Sequence, residues 1–384
     1  MLELPIKDIK PGMVLATDVL TARDITYLRK GTVLTRQYIK QLAGSGIGSV
    51  SVFSGEDNYQ MKDLSPRETL IETRVLGLSA IDKKLKELID SHTINPDYVN
   101  EDLHQICKKA LDDEADIATL TKLRVHDKYT FLHSIGVAII SGIIGKIENY
   151  DKSKLSLLVR CGLLHDVGKL VVPPEILNKP GKLTDEEFAV IKLHPTAGWS
   201  ELNQKTDPSH ELLAAVALQH HERLDGTGYP DKLKEESIHP FSSIVAIADV
   251  YDALTSERSY KLAYKPHIAY KIMTRLSRGQ FVEPLLREFF DQIEIYAVGS
   301  VIETSEGYAI VKSAKYGSAA HPRICVFATE RYQLLDEPYE VDLSKDTPIS
   351  ISSVLEDISL IALSNRLRIN PMTFLENDYP EKNF

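Results

Sequence analysis

The sequence predicts a mainly α-helical fold that carries a small α/β or β domain at its N-terminus and a small β extension at its C-terminus. Three observations predict it. Apolar residues recur at helical spacing from about residue 66 to about residue 290; short apolar runs broken by turn signals precede them; β-like runs follow. At 384 residues and 43% hydrophobic side chains, the chain holds enough apolar material for the cores of two or three domains.

Residues 1–62 form the first expected unit, a small domain of strands and one helix. Its signals are KPGM, an RKGT turn at 29–32, the helical run LTRQYIKQLAGSG and the strand-like GSGIGSVSVF. From 66 to 124 the pattern turns helical, with Leu78, Ile81, Leu85, Leu88 and Ile89 at helix spacing and a break at TINPD, which reads as a helical connector. Residues 125–290 continue in long helical runs punctuated by NKPGKLT and DGTGYP, and all the candidate chemistry lies there. The remainder, 291–384, reads as a β extension and tail, with a Ser-Glu-Gly turn between two strand-like runs in IEIYAVGSVIETSEGYAIVKSA. No internal repeat or low-complexity segment interrupts this order.

Composition excludes several classes. The start, MLELPIKDIKPGM, lacks the apolar core of a signal peptide, and the most apolar run, IGVAIISGIIGKI, is shorter than the roughly 20 residues of a membrane span. A cytoplasmic protein without membrane insertion is the expectation. Cys107, Cys161 and Cys325 are widely spaced with no CxxC pair, against a disulfide framework or a cysteine-rich zinc site. A formal net charge of −10 disfavours a nucleic-acid polymer as partner, while leaving room for an anionic small molecule held by metal ions and local cations.

The stretch HHERLDGTGYP, residues 220–230, places two histidines before a segment rich in turn residues. Neighbouring helical side chains diverge by about 100°, so His220 and His221 converge on one object only at a helix end, which Gly226, Gly228 and Pro230 supply. GLLHDVGKL sets His165, Asp166 and Lys169 in an apolar helical run, where a buried His-Asp pair is costly without a counter-charge such as a metal ion. The alternative reading is an ion pair between Asp166 and Lys169, three residues apart. His133 lies within the apolar YTFLHSIGVAII, His194 precedes a proline in LHPTAGW, and Asp249 sits in the hydrophobic run SSIVAIADVYDALTS. Five imidazoles and two carboxylates can hold two divalent ions if one carboxylate bridges them, and Asp166, beside His165, is the expected bridge.

This set, together with HDVGK and HHERLDGTGYP, closely resembles the HD-GYP family, a branch of the HD metal-dependent phosphohydrolases, over residues 126–290. The resemblance implies the helical HD-superfamily domain with a dinuclear iron or manganese centre. It implies hydrolysis of the cyclic dinucleotide cyclic di-GMP to pGpG, GMP or both by a metal-bridging hydroxide. His133, His165, Asp166 and Asp249 match the ligands of one metal; Asp166, His194, His220 and His221 match those of the other. Lys169 matches the lysine on the scissile phosphate, Arg258 and Lys261 match basic positions near the ligand, and Tyr229 is placed to stack on a base. Alternatives are a phosphodiesterase for 3'3'-cyclic GMP-AMP, a weakly active module that works through protein partners, and a nucleoside-phosphate hydrolase of another HD branch, which would lack the GYP loop. The resemblance leaves room for protein partners at the GYP loop and N-terminal domain and for a homodimer.

Two positions depart from the family. Tyr129 stands where some members carry a glutamate for a third metal, so two metals are expected, and Ser243 stands where an arginine is common. His126-Asp127 spells a second HD in a polar context and is read as surface, Glu222-Arg223 as a loop-bracing pair, and Cys161 as a buried structural thiol. His92, His104, His210, His239, His267 and His321 have no partner spacing. The opening PIKDIKPGMVLATDVL resembles the domain often found ahead of HD-GYP domains and is read as a regulatory or docking module.

Overall fold

The computed structural model describes residues 2–10, 13, 15, 17, 19–20, 26–28, 34, 38–39, 42–43, 47–52, 66–90, 93–179, 181–204, 208–256 and 263–382. The chain divides into two compact units, Met1–Thr69 and Leu70–Phe384.

In the first unit, β1 (Leu2–Pro5) pairs antiparallel with β4 (Ser49–Val52), and β2 (Val19–Leu20) with β3 (Thr26–Leu28). Leu15, Leu34, Leu42, Val50 and Val52 form its core, joined by Ile6 and Ile9. The expected helix lies largely outside the described residues, with Tyr38, Ile39, Leu42 and Ala43 helical, and the RKGT turn lies wholly outside them.

The second unit is built around α4 (Lys128–Ile147), which packs against α3 (Glu114–His126), α5 (Lys152–Leu164) and α10 (Pro240–Thr255). Asp127 starts α4 by accepting hydrogen bonds from the Tyr129 and Thr130 amides, satisfying donors that a helix start leaves open. By length and composition α4 could cross a membrane, but it is buried almost all round within this unit. Its Phe131, Ile135, Ile139 and Ile143 share one core with Ile81, Leu85 and Leu88 of α1 (Pro66–Asp90) and with Leu103 and Ile106 of α2 (Glu101–Lys109). The helices of residues 66–124 are thus packed into the helical domain, where the sequence pattern reads as a connector.

The next helices are α6 (Pro174–Leu177), α7 (Asp185–Ile191), α8 (His194–Leu202) and α9 (Pro208–Gln219), then, beyond α10, α11 (Pro266–Gln280) and α12 (Glu283–Asp291). The β extension is a five-stranded antiparallel sheet in the order β8-β7-β6-β5-β9. These strands are β5 (Val301–Thr304), β6 (Gly307–Ser313), β7 (Arg323–Ala328), β8 (Leu334–Asp342) and β9 (Ile351–Val354). The Ser-Glu-Gly turn joins β5 to β6, with Thr304 opposite Gly307. Strand alternation divides the residues between two cores: Ala309, Val311, Ile324 and Val326 face the helical domain, whereas Tyr308, Ile310, Cys325 and Phe327 face a second cluster with Leu363, Leu367 and Phe374. Those last three come from α13 (Asp357–Leu367) and α14 (Thr373–Glu376), two helices in the tail that follows the β strands.

Candidate metal centre

Three breaks in the helical domain deliver four of the five histidines. Asp151 caps α5, which ends at Leu164, so His165 and Asp166 stand at a helix end, followed by the 3-10 turn Val167–Val171. The helix expected to run on through HDVGK therefore stops before it. The stop turns both side chains inward, and His165 and Asp166 are almost wholly buried. His194 opens α8, where Pro195 is free of the amide bond it cannot make. His220 and His221 follow the last residue of α9, the helix end that their adjacency requires. His133 and Asp249 come from the interiors of α4 and α10.

These side chains meet. A ring nitrogen of each of His194, His220 and His221 lies within 4.8 Å of the other two, and His133, His165 and Asp166 form a second such group. Asp166 stands between the groups. Its Oδ2 is 3.3 Å from His165 Nε2 and 4.0 Å from His133 Nε2; its Oδ1 is 3.4 Å from His194 Nε2 and 3.8 Å from His220 Nε2. Asp249 Oδ1 accepts from His133 Nε2 at 2.9 Å and lies 4.0 Å from His165 Nε2.

The protons of this cluster are fixed by backbone carbonyls. His165, His194 and His220 each place Nδ1 at 2.7–2.8 Å from the carbonyl of the residue three before, Gly162, Ile191 and Ala217. A carbonyl can only accept, so Nδ1 carries the proton and Nε2 presents a bare lone pair inward. Burial pushes His194 down to about 3 and His221 to about 4, and burial with the neighbouring His221 imidazole holds His220 well below its ordinary value, so these rings are neutral. Burial also opposes ionisation of Asp166, yet Lys169 and His165 hold its carboxyl well below the usual range. Lone pairs and a carboxylate thus converge in a buried space. Among the described residues His165 Nε2 and Asp166 Oδ1 have no hydrogen-bond partner, although a buried acceptor ordinarily finds one. A divalent cation satisfies this donor set, and nitrogen with carboxylate oxygen suits a transition metal.

The remaining expected residues divide. Lys169 Nζ is 2.6 Å from Asp166 Oδ2, so the simple ion pair and a place in the centre coexist in one geometry. Tyr229 stacks on His221, with ring centroids 4.8 Å apart, and Lys192 Nζ lies 5.5 Å from its ring centroid. Arg258 and Lys261 lie outside the described residues. Glu222 is buried and accepts from the Asp231 and Leu233 amides at 2.7 and 3.0 Å, bracing the GYP loop. Gly226 has φ +76°, but Gly228 serves packing: a Cβ there would stand 2.7 Å from the Glu222 carbonyl carbon, so its close neighbour is this loop's own backbone rather than a ligand. His126 bonds the Val172 carbonyl at 2.8 Å and Asp127 is spent on the α4 cap, which separates this second HD from the centre.

Sequence reasoning missed the support behind His133. Asp252, one turn beyond Asp249 on α10, accepts from His133 Nδ1 at 2.8 Å and is held in turn by Lys84 of α1 at 3.0 Å. The signal for Asp252 is its place three residues after Asp249 in the same apolar run; Lys84 has none, being 168 positions away.

Known proteins are similar to this chain. The profile of the HD domain family matches residues 107–281. A protein of Pseudomonas aeruginosa named cyclic di-GMP phosphodiesterase is 33% identical over 295 residues, covering 73% of this chain and 70% of the relative. The 3'3'-cGAMP-specific phosphodiesterase 2 of Vibrio cholerae is 32% identical over 216 residues, covering 55% of this chain and 40% of that protein. A solved structure of an HDG"Y"P protein from Bdellovibrio bacteriovorus aligns with 76% of this chain and 98% of its own, at 18% identity and a TM-score of 0.39. With the matched profile spanning HDVGK and HHERLDGTGYP alike, the chain belongs to the HD-GYP branch of the HD metal-dependent phosphohydrolases.

Proposed function

We propose that the chain is a cytoplasmic phosphodiesterase that hydrolyses cyclic di-GMP to pGpG, GMP or both, with His133, His165, Asp166 and Asp249 holding one divalent ion and Asp166, His194, His220 and His221 a second. The observation that carries the reading is the inward convergence of the His194 and His220 Nε2 lone pairs, 3.2 Å apart, on Asp166 Oδ1. Neutral rings in that arrangement repel each other unless a cation lies between them. Iron and manganese suit imidazole with carboxylate.

When bound, the ions supply an activated water at neutral pH and polarise phosphate oxygens. The chain's own residues do the rest. The backbone carbonyls of Gly162, Ile191 and Ala217 keep three rings in the ligating tautomer. Lys169, now on Asp166, is the cation that moves to the phosphoryl oxygens as their charge develops. Tyr229, stacked on His221, offers a face for a base, and Arg258 and Lys261 are the basic positions expected near the ligand. Hydrolysis of 3'3'-cyclic GMP-AMP is the second reading, favoured by the naming of the Vibrio relative. Partners at the GYP loop and first unit, and a homodimer, complete the proposal; light scattering and pull-down test them.

The deciding experiment is turnover of both cyclic dinucleotides under anaerobic Fe(II) or Mn(II), with products separated by chromatography. Linear dinucleotide or mononucleotide from cyclic di-GMP is expected. Absence of any product from either substrate with two metals bound would reject the reading.

A further inference from the structure

We propose that Lys84 and Asp252 are positioning residues for the metal centre, and that through them helix α1 sets how firmly His133 holds its metal ion. The proposal rests on the reading of His133 as a ligand.

Asp252 is buried, with a side chain only 2% exposed, and both its oxygens are engaged. Oδ2 accepts from His133 Nδ1 at 2.8 Å. Oδ1 accepts from Lys84 Nζ at 3.0 Å and from Ser256 Oγ at 2.9 Å, and Lys84 also donates to Ser256 Oγ at 3.1 Å. A buried carboxylate costs stability unless paired and fully bonded, and this one is both. Its seat is cut into α4. Gly136, one turn beyond His133, leaves the space, because a Cβ at that position would collide with the Asp252 carboxylate, whose Cγ would stand 2.7 Å away.

The chemistry follows from the direction of the bonds. With Nδ1–H held by Asp252, His133 is left with Nε2 to face Asp166 and Asp249, the atom a metal must take. A carboxylate behind a ligating imidazole makes the ring a stronger donor, and its orientation fixes the ring plane. Lys84 decides where that carboxylate sits. Its helix lies outside residues 107–281, the segment that the HD profile matches, and α1 starts at Pro66 within the first unit and runs on into the second. Helices move as rigid bodies on sliding, so an axial shift of α1 carries the ammonium away from Asp252 and loosens His133.

The test titrates full-length protein with Mn(II), counts bound metal per chain and follows the exchange-coupled Mn(II) pair by electron paramagnetic resonance. For Lys84→Met we expect one position weakened by about 10- to 100-fold and the other unchanged. The coupled-pair signal should vanish at low Mn(II) and return at high Mn(II). Turnover should recover at saturating Mn(II), with the KM for cyclic di-GMP unaltered, which a general loss of folding would not produce. Lys84→Arg should restore both affinities. Two positions as tight in Lys84→Met as in the parent overturn the proposal. If Lys84→Met does not fold, Ser256→Ala decides: weakening confined to one position supports the linkage, and unchanged affinity at both overturns it. A parent protein that takes up no Mn(II) overturns the metal reading itself, and this one with it.

Discussion

His194 and His220 face each other through Nε2 atoms 3.2 Å apart, and neither atom has a proton to offer the other, because both Nδ1–H groups are committed to backbone carbonyls. That contact needs a cation. Replacing His194 or His220 by alanine should therefore lower the metal content from two ions per chain to one, leaving the His133 side loaded. A third ion is not expected, since Tyr129 stacks parallel to His133, centroids 6.2 Å apart, where a carboxylate would be required. Elemental analysis after anaerobic reconstitution checks this; three ions, or two in the His194 variant, would contradict it.

Asp166 turns one oxygen to each histidine group. Asp166→Ala should then empty both positions and abolish turnover, whereas a terminal ligand removes one. A variant that keeps two metals and normal rates rules out the shared carboxylate.

Much of this centre was legible because it violates the pattern around it. His133 and Asp249 stand out as polar residues in apolar helices, and such residues need partners. The helix end at His220 was readable from the turn residues that follow. The stop at Leu164 was not, since GLLHDVGKL has helical periodicity throughout, whereas in the structure the Val167–Val171 turn, packed against α8, takes the place of the helix. Lys84 was illegible for a different reason. Its partner is remote in sequence, and a lysine on a helix with alternating charges reads as solvated surface. The shared core of α1 and α4 was hidden likewise, because periodicity tells which face is buried and not what covers it.

Lys169→Ala should behave unlike the ligand variants. Its ammonium contacts Asp166 but is partly exposed and offers no lone pair to a metal while charged. The variant should retain two ions and lose about 10² to 10³ in kcat, the scale for one group stabilising charge in the transition state. Loss of a metal ion would assign Lys169 to the scaffold of the centre.

Gly228→Ala tests the GYP loop. The new methyl meets the backbone of Glu222 and Arg223, which cannot yield as a flexible side chain can, so the loop must shift. A cost of about 1–3 kcal/mol is expected for such overpacking. Because the Tyr229 amide bonds the His221 carbonyl at 3.2 Å, the shift reaches the stacked pair. Thermal unfolding should show the lower stability and steady-state kinetics a raised KM; an unchanged KM would separate Tyr229 from substrate binding.

The two metal positions should differ in their dependence on pH. Burial works against a charge on His133, but hydrogen bonds from the ring to Asp249 and Asp252 win and push its pKa up to about 9 in the metal-free protein. That raised value adds stability below the ordinary histidine pKa of about 6.5, and the contribution is lost as pH rises through about 9. A metal ion taking Nε2 must displace this proton. Uptake at the His133 position therefore releases a proton below about pH 9, and its affinity should climb by up to about tenfold per pH unit toward that value. The other position has no such slope above about pH 6, because burial holds His194 at about 3 and His221 at about 4 and both are already neutral. Calorimetric Mn(II) titrations in buffers of different ionisation enthalpy count the protons released at each step. One step releasing close to one proton and the other close to none is expected at neutral pH, whereas equal release at both would mean that His133 is not held charged between its two carboxylates.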